Sequence, residues 1–213
     1  MLSLADKAFA KLQKLNLHAT TLEKNTLSNV TEWIDTGCLV LNSILSGSLY
    51  GGVPKGRITI FAGEAQCGKT FILNKILAKA QKKGMIPIIF DTECAIEKEG
   101  AENVGLDVAN VKYVPVDTVE NCRNQIMAFL DEVEREPELR GKFIISIDSL
   151  GNLASSKEIA DAEANKGAMD MGLRAKQLKS MMRIITYKAA VTGTTIICSN
   201  HTYADPGALH PTL

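Results

Sequence analysis

Residues 63–70, GEAQCGKT, constrain the fold of this chain more than any other part of the sequence. They have the spacing G-x-x-x-x-G-K-[ST]. The apolar run RITIFA, residues 57–62, precedes them directly, and helical periodicity follows over residues 71–82. A loop of this spacing between a strand and a helix is typical of phosphate-binding loops. The sequence therefore predicts a nucleotide site at this junction.

The chemistry of phosphate binding accounts for the residue types in this motif. Glycines let the backbone wrap so that successive N–H groups point at phosphate oxygens. The positive end of the following helix adds to that field. Lys69 can reach the β- and γ-phosphates, and the Thr70 hydroxyl can bind Mg²⁺. The alternative is a glycine-rich turn that binds nothing. The predicted nucleotide contacts in and beside the loop are Gly63, Glu64, Ala65, Gln66, Cys67, Gly68, Lys69, Thr70 and Phe71.

Strand-like and helical patterns alternate along the rest of the chain. The strand-like runs are residues 57–62, 85–90, 111–116, 143–147 and 194–198, and the main helical segments are residues 71–82, 118–134 and 172–190. This alternation predicts an α/β fold with a mainly parallel β-sheet flanked by helices on both faces. The composition, 46% hydrophobic and 23% charged, is that of an ordinary globular protein.

Charge and cysteine content exclude several classes of protein. The formal net charge is zero, so the composition alone does not indicate nucleic acid or anionic lipid as a partner. No apolar run approaches the roughly 20 residues that span a bilayer, and we expect no membrane partner. The five cysteines form no C-x-x-C pair, which favours reduced thiols and a cytoplasmic location.

Cys67 lies near a helix N-terminus, where a thiol can be reactive. Alternatively, it packs as a small residue.

The first 32 residues differ from the rest of the chain. Residues 6–15 form a predicted amphipathic helix, and residues 18–32 are a polar linker. A helix isolated in this way must bury its apolar stripe somewhere, either on its own core or on a neighbouring subunit. We therefore divide the chain into an arm, residues 1–32, and a core, residues 33–213.

Three predicted strands end in polar residues that suit phosphate chemistry. Ligands of parallel α/β sheets bind beyond the carboxyl ends of the strands. Asp148 is placed to hold Mg²⁺, Glu93 to polarise an attacking water, and His201 to donate a hydrogen bond to the γ-phosphate. The alternatives are a helix N-cap for Asp148, a solvated carboxylate for Glu93 and a structural histidine for His201.

Several motifs together resemble RecA-type strand-exchange recombinases. Residues 33–70, WIDTGCLVLNSILSGSLYGGVPKGRITIFAGEAQCGKT, resemble that family's approach to its phosphate loop. FDTE, residues 90–93, resembles the strand of its catalytic glutamate, and IISIDSLGNLAS, residues 144–155, resembles its second nucleotide motif. ICSNHTY, residues 197–203, is similar to the phage recombinases of the UvsX type, which carry histidine where the bacterial proteins have glutamine. The resemblance covers residues 33–213.

The resemblance implies filaments that form on single-stranded DNA with ATP and Mg²⁺ and pair it with homologous double-stranded DNA. Lys69 and Glu93 would be the catalytic residues, and Thr70 and Asp148 would hold Mg²⁺. His201 would couple the γ-phosphate to the DNA-binding loop that follows it. The arm would dock on the next subunit of the homo-oligomer. Mediator and single-strand-binding proteins are further partners to expect, and a phage-encoded protein would work in the host cytoplasm.

The resemblance also places a DNA interface after Asp148. Residues 155–171 would be the first DNA-binding loop, and MGLRAKQLKSMMR, residues 171–183, resembles the DNA-facing segment of the bacterial proteins. Apolar wedges hold bases apart and cations neutralise phosphates without reading sequence. The alternative for the two cations is a solvated helix face. The predicted DNA contacts are Met171, Gly172, Lys176, Arg183 and Tyr203.

Two features depart from the family pattern. The family usually has a tyrosine seven residues beyond the catalytic glutamate, where it stacks on adenine, and this chain has Gly100. The chain also stops at Leu213, inside what would be the second DNA-binding loop, so we expect a fragment of a longer protein with poor strand exchange. Two other functions compete with the recombinase: a ring-forming RecA-like helicase core, and a nucleotide-binding regulatory or structural protein without turnover.

Overall fold

A computed structural model describes residues 3–164 and 171–202. The helices are α1 (Leu4–Leu15), α2 (Leu39–Ser46), α3 (Lys69–Lys82), α4 (Lys98–Asn103), α5 (Val119–Arg135), α6 (Ser156–Glu163) and α7 (Met171–Thr192). The strands are β1 (Trp33–Ile34), β2 (Val53–Pro54), β3 (Ile58–Gly63), β4 (Ile86–Asp91), β5 (Lys112–Pro115), β6 (Phe143–Asp148) and β7 (Thr195–His201). The predicted α/β class is confirmed.

Strands β3 to β7 form one parallel sheet in the order β3-β7-β6-β4-β5. The register pairs Asp91 with Asp148 and Gly63 with His201. Because parallel strands all end at the same edge of a sheet, these four residues lie along one edge. Ligands of open α/β sheets bind beyond this edge.

Helices cover both faces of the sheet and create two apolar clusters. Along β6, Ile144 belongs to the cluster that contains Leu77 of α3, and Ile145 to the cluster that contains Ile126 of α5 and Ile185 of α7. Successive strand residues point to opposite faces, so a strand buried along its whole length requires helices on both sides. None of the helices described here is both long and apolar enough to span a membrane.

Several short elements escape prediction from sequence. Strands β1 and β2 pair antiparallel over two residues each, which is too short for any periodicity to show. Helix α2 ends at Ser46 and is followed by Gly47, whose φ of 72° is the left-handed conformation that commonly follows a helix. Helix α4 has six residues. Helix α6 occupies the first half of the predicted DNA-binding loop and begins with a capping box between Ser155 and Glu158.

The N-terminal helix lies apart from the apolar core. Helix α1 buries none of its residues, and Leu4 and Leu15 are each 87% exposed. The linker behind it contacts the core, because His18 Nε2 lies 3.4 Å from Glu134 Oε1. The apolar stripe of α1 is therefore not buried on the core of the same chain, which was one of the two predicted alternatives.

Candidate functional site

The phosphate-loop segment connects β3 to α3 at the edge where the strands end. Gln66 and Gly68 have left-handed φ values of 61° and 86°. Left-handed residues alternating with ordinary ones turn successive N–H groups towards one concave side. A Cβ atom on Gly63 would lie 2.8 Å from Cys67 Sγ, so a larger residue at this position would displace the Cys67 side chain. This backbone fits an oxyanion-binding loop.

The other predicted loop contacts surround this concavity at the protein surface. The Phe71 ring is 55% exposed and lies 5.7 Å from Lys75 Nζ, which is placed over the ring. The remaining loop side chains are exposed and accessible to a ligand from solvent: Glu64, Ala65, Gln66 and Cys67.

Lys69 is the buried cation of the loop, with 9% of its surface exposed. Its Nζ donates to the carbonyl oxygens of Gly63 at 3.0 Å and Glu64 at 2.6 Å. These contacts hold the ammonium group over the loop rather than out in solvent. A buried ammonium is best stabilised by an anion, and a phosphate in the concavity would supply one.

Thr70 and Asp148 meet beside the loop, as the sequence predicts. The Thr70 hydroxyl donates to Asp148 Oδ2 at 2.7 Å, and the Ser199 hydroxyl donates to Asp148 Oδ1. Asp148 is 9% exposed. A hydroxyl next to a fixed carboxylate is a donor set that suits Mg²⁺, which binds few protein oxygens and takes its other ligands from phosphates and water. These two residues fit the predicted ion.

Glu93 and His201, predicted at different strand ends, also lie together. His201 Nε2 is 3.6 Å from Glu93 Oε1. The same carboxylate oxygen accepts a 3.0 Å hydrogen bond from the Ser149 hydroxyl. With 41% of its side chain exposed, Glu93 is accessible to solvent and can orient a water molecule while Ser149 fixes one of its oxygens.

Hydrogen bonds between side chains and the backbone join the Glu93 turn to the segment after β6. The Ser149 N–H donates to Thr92 Oγ1 at 2.8 Å. The Asn152 amide donates to the Thr92 carbonyl oxygen, also at 2.8 Å. The segment that follows Asp148 is therefore fixed by hydrogen bonds to the turn that carries Glu93.

The predicted DNA contacts are only partly described. Gly172, Lys176 and Arg183 are exposed on α7. Residues 165–170 and Tyr203 lie outside the described residues, as does the side chain of Met171. The interpretation of residues 155–171 as a loop is wrong for its first half, because the capping box starts helix α6 there.

Gly100, at the position where the family pattern has a tyrosine, lies on the exposed helix α4. A Cβ atom there would meet nothing within 4 Å. The neighbouring structure therefore does not require glycine, and space for a larger side chain is present.

The sequence did not single out several polar residues that build this site. Ser149 and Ser199 hold the two predicted carboxylates, and Arg174 donates to the carbonyl oxygens of Leu153, at 2.7 Å, and Gly151. A single serine belongs to no sequence motif that would identify it as a site residue. The position of Ser149 directly after Asp148 is the one clue that the sequence offers.

Comparisons with known proteins agree with this architecture. The family model described as the RecA N-terminal domain matches residues 2–210. The recombination and repair protein of Enterobacteria phage T4 is 34% identical over 177 residues, which are 82% of this chain and 44% of that protein. Protein RecA of Nitratiruptor is 33% identical over 204 residues, 96% of this chain and 54% of that protein. Protein RecA of Campylobacter hominis is 32% identical over 195 residues, 92% of this chain and 51% of that protein. The chain spans about half the length of these curated relatives.

Proposed function

Because this chain belongs to the RecA family, we propose that it is an ATP-dependent homologous-recombination protein and a DNA-dependent ATPase. It would form filaments on single-stranded DNA and promote pairing and strand exchange with homologous duplex. The observation that carries the proposal is that Glu93, His201 and the Thr70–Asp148 pair converge at the end of the phosphate loop.

Each residue of the site has a separate task in ATP hydrolysis. The loop N–H groups and Lys69 bind the phosphates. Thr70 and Asp148 would hold Mg²⁺, which neutralises charge on the phosphates when it is bound. Glu93 orients the attacking water and takes up its proton. His201 donates a hydrogen bond to the γ-phosphate.

Contacts beyond the nucleotide site support a link to the proposed DNA contacts. Arg174 lies near the start of α7 and donates to the carbonyl oxygens of Gly151 and Leu153. A Cβ atom on Gly151 would lie 3.1 Å from His201 Cδ2. The segment after Asp148 thus lies between His201 and the helix that carries Gly172, Lys176 and Arg183. Met171 and Tyr203 complete the proposed interface, with the cations on phosphates and Met171 between bases.

The arm, residues 1–32, is proposed to dock on the next subunit of the filament. An amphipathic helix gains little stability until its apolar face is covered. The exposed stripe of α1 provides such a face, and the contact of His18 with Glu134 places the linker against the core.

ATP hydrolysis with and without single-stranded DNA is the first test. We expect turnover that DNA stimulates, and Lys69→Ala should lower it by a factor of about 100 or more because the phosphates lose their buried cation. Lys79→Ala, a lysine on the same helix whose Nζ is paired with Asp35 at 2.7 Å, is the matched control. Undiminished hydrolysis in Lys69→Ala would contradict the assigned site.

Binding of single-stranded DNA tests the α7 cations separately. Replacing both Lys176 and Arg183 with alanine leaves two phosphates without their proposed cations. The dependence of log K on log salt should then become shallower by roughly 1.4, at about 0.7 for each phosphate that is no longer neutralised. The control is Arg123→Ala on α5, where the guanidinium contacts the neighbouring Asn124. An unchanged slope of log K against log salt would mean that Lys176 and Arg183 lie on a solvated helix face and neutralise no phosphate.

Neither the comparisons nor the described contacts favour the ring-forming helicase. A regulatory protein without turnover differs from the proposal in one measurable respect, because it would not hydrolyse ATP.

The cytoplasmic location stays a prediction. It agrees with the finding that all five cysteines are free thiols.

A further inference from the structure

Asp91 is a buried carboxylate beside the proposed catalytic centre, and the hydrolysis described above gives it no task. It is the last residue of β4 and is 1% exposed. Its Oδ1 accepts the Glu93 N–H at 2.9 Å, and its Oδ2 accepts the Ile96 N–H at 3.2 Å. The Tyr113 hydroxyl donates to the same Oδ2 at 3.1 Å. One carboxylate therefore holds both ends of the turn that carries Glu93.

The turn between β4 and α4 contains a backbone conformation that needs such support. Cys94, the residue after Glu93, has a φ of 51°, in the left-handed region that residues other than glycine seldom occupy. A conformation of this kind persists when surrounding contacts determine it. The two N–H groups bound to Asp91 lie on either side of Cys94, so they restrain the turn where its backbone is least favourable.

Tyr113 supports the carboxylate from the edge strand β5. Tyr113 is 49% exposed, but partial desolvation of its hydroxyl, followed by the hydrogen bond to Asp91, raises the pKa of Tyr113 to about 12. The phenol therefore remains a neutral hydrogen-bond donor throughout the physiological pH range. It is fixed on a different strand from Asp91, so the orientation of the Asp91 carboxylate depends on the pairing of β4 with β5.

We propose that Asp91 and Tyr113 are positioning residues for Glu93: Tyr113 orients the Asp91 carboxylate, and Asp91 fixes the turn that places the Glu93 carboxylate beside Ser149. Neither residue touches the nucleotide in this role. The inference rests on the proposed hydrolysis of ATP, but its structural part can be measured without any turnover.

The first measurement is amide hydrogen exchange in Tyr113→Phe, which removes one hydroxyl and leaves the ring. Exchange at Glu93 and Ile96 should become about tenfold faster or more, as expected when a hydrogen bond to a charged group is removed. Tyr187→Phe, at a tyrosine on α7 that is 54% exposed, is the matched control and should leave both amides unchanged. Unchanged exchange in Tyr113→Phe would overturn the proposal whatever the ATPase activity is.

Steady-state hydrolysis then tests the catalytic consequence. Tyr113→Phe should lower kcat about threefold to tenfold, and Asp91→Asn about a hundredfold, with KM for ATP unchanged, because a misplaced catalytic group costs turnover rather than binding. In a Glu93→Gln background, Tyr113→Phe should lower the residual rate no further, because the residue that it positions is already replaced. An equal fall in both backgrounds would indicate a merely structural role and overturn the proposal.

The two measurements separate this inference from the proposed function. Normal hydrolysis by the unmodified chain together with full activity in Tyr113→Phe would overturn the positioning role alone. Absence of hydrolysis in the unmodified chain would overturn the proposed function and, with it, the catalytic part of this inference. The hydrogen-exchange result would still decide whether Asp91 and Tyr113 fix the turn.

Discussion

The tasks proposed for Lys69 and Glu93 differ, since Lys69 would bind a phosphate and Glu93 would orient a water, and the surroundings of the two side chains differ as well. The ammonium of Lys69 is buried and donates to two backbone carbonyl oxygens, neither of which carries a formal charge. An anion in the loop would therefore be bound strongly. Glu93 is more exposed, with one oxygen held by Ser149. Lys69 is suited to binding a phosphate, and Glu93 to orienting a water.

Glu93→Gln is expected to separate nucleotide binding from turnover. The amide keeps the size of the side chain and an oxygen for the Ser149 hydroxyl, but it cannot take up a proton. We expect hydrolysis to fall by a factor of about 100 to 10,000, the usual contribution of a general base, with nucleotide affinity retained. Parallel measurements of nucleotide binding and phosphate release check this. Loss of binding together with turnover would point to a structural role for Glu93.

Cys67 is expected to be alkylated rapidly unless nucleotide is bound. It is exposed in the loop, with its Sγ 3.9 Å from Lys69 Nζ, so a bound triphosphate would cover it. Burial raises the pKa of Cys122 to about 12 and that of Cys198 still further, so both should react slowly. Peptide mapping after alkylation distinguishes Cys67 from the exposed Cys38 and Cys94. Equal rates for Cys67 with and without saturating ATP would contradict the prediction.

At the scale of elements, Asp35 joins the β1–α2 connection to α3. Its Oδ1 accepts the Asn42 amide and the Gly37 N–H, both at 2.8 Å, and its Oδ2 lies 2.7 Å from Lys79 Nζ. Burial alone would raise the pKa of Asp35, but the hydrogen bonds from Asn42 and Lys79 outweigh burial and lower it to about 2. The ionised carboxylate thus fixes an exposed two-turn helix to the core.

This lowered pKa predicts a loss of stability in acid. An acid whose folded pKa lies below its unfolded value of 3.8 stabilises the fold above about pH 4, and this contribution disappears as the pH falls towards 2. Because the Asp35 side chain is 36% exposed, we expect Asp35→Asn to cost about 1 kcal/mol at pH 7 after screening by solvent. Urea unfolding of both chains from pH 7 to pH 3 should show this difference narrowing.

Glu23→Gln, in the exposed linker, is the control for that titration and should show no such trend. A difference between Asp35→Asn and the unmodified chain that stays constant down to pH 3 would mean that the Asp35 charge does not stabilise the fold.

At the scale of the whole molecule, α1 is a helix whose apolar stripe the described part of the chain leaves uncovered. If the arm docks on the next subunit, replacing Leu12 and Leu15 with serine should abolish self-association and leave the fold intact, because α1 buries none of its residues. Sedimentation velocity measures the assembly, and circular dichroism with thermal melting measures the fold. The control is Gln13→Ser on the opposite side of α1. Unchanged assembly in the leucine variant would refute the docking role of the arm.

Much of the fold and of the site follows from local sequence. The phosphate loop, the strand before it, the helix after it and the polar residues at or just beyond the strand ends, Glu93, Asp148 and His201, were all predicted, because each depends on a motif or on an apolar run of a few residues. A parallel sheet then requires the strand ends to share one edge. The short elements were missed because two to eight residues give too little periodicity to distinguish a strand or helix from a loop.

The tertiary structure decided which side chains meet at that edge. Ser149 and Glu93 are 56 residues apart in sequence, and Tyr113 and Asp91 are 22 apart; both contacts exist because β4 lies between β6 and β5. Alternation of strands and helices does not specify the strand order, which depends on how the helices pack on the two faces. The sequence by itself therefore determined which residue types lie at the strand ends. The packing of the sheet determined which other side chains contact them.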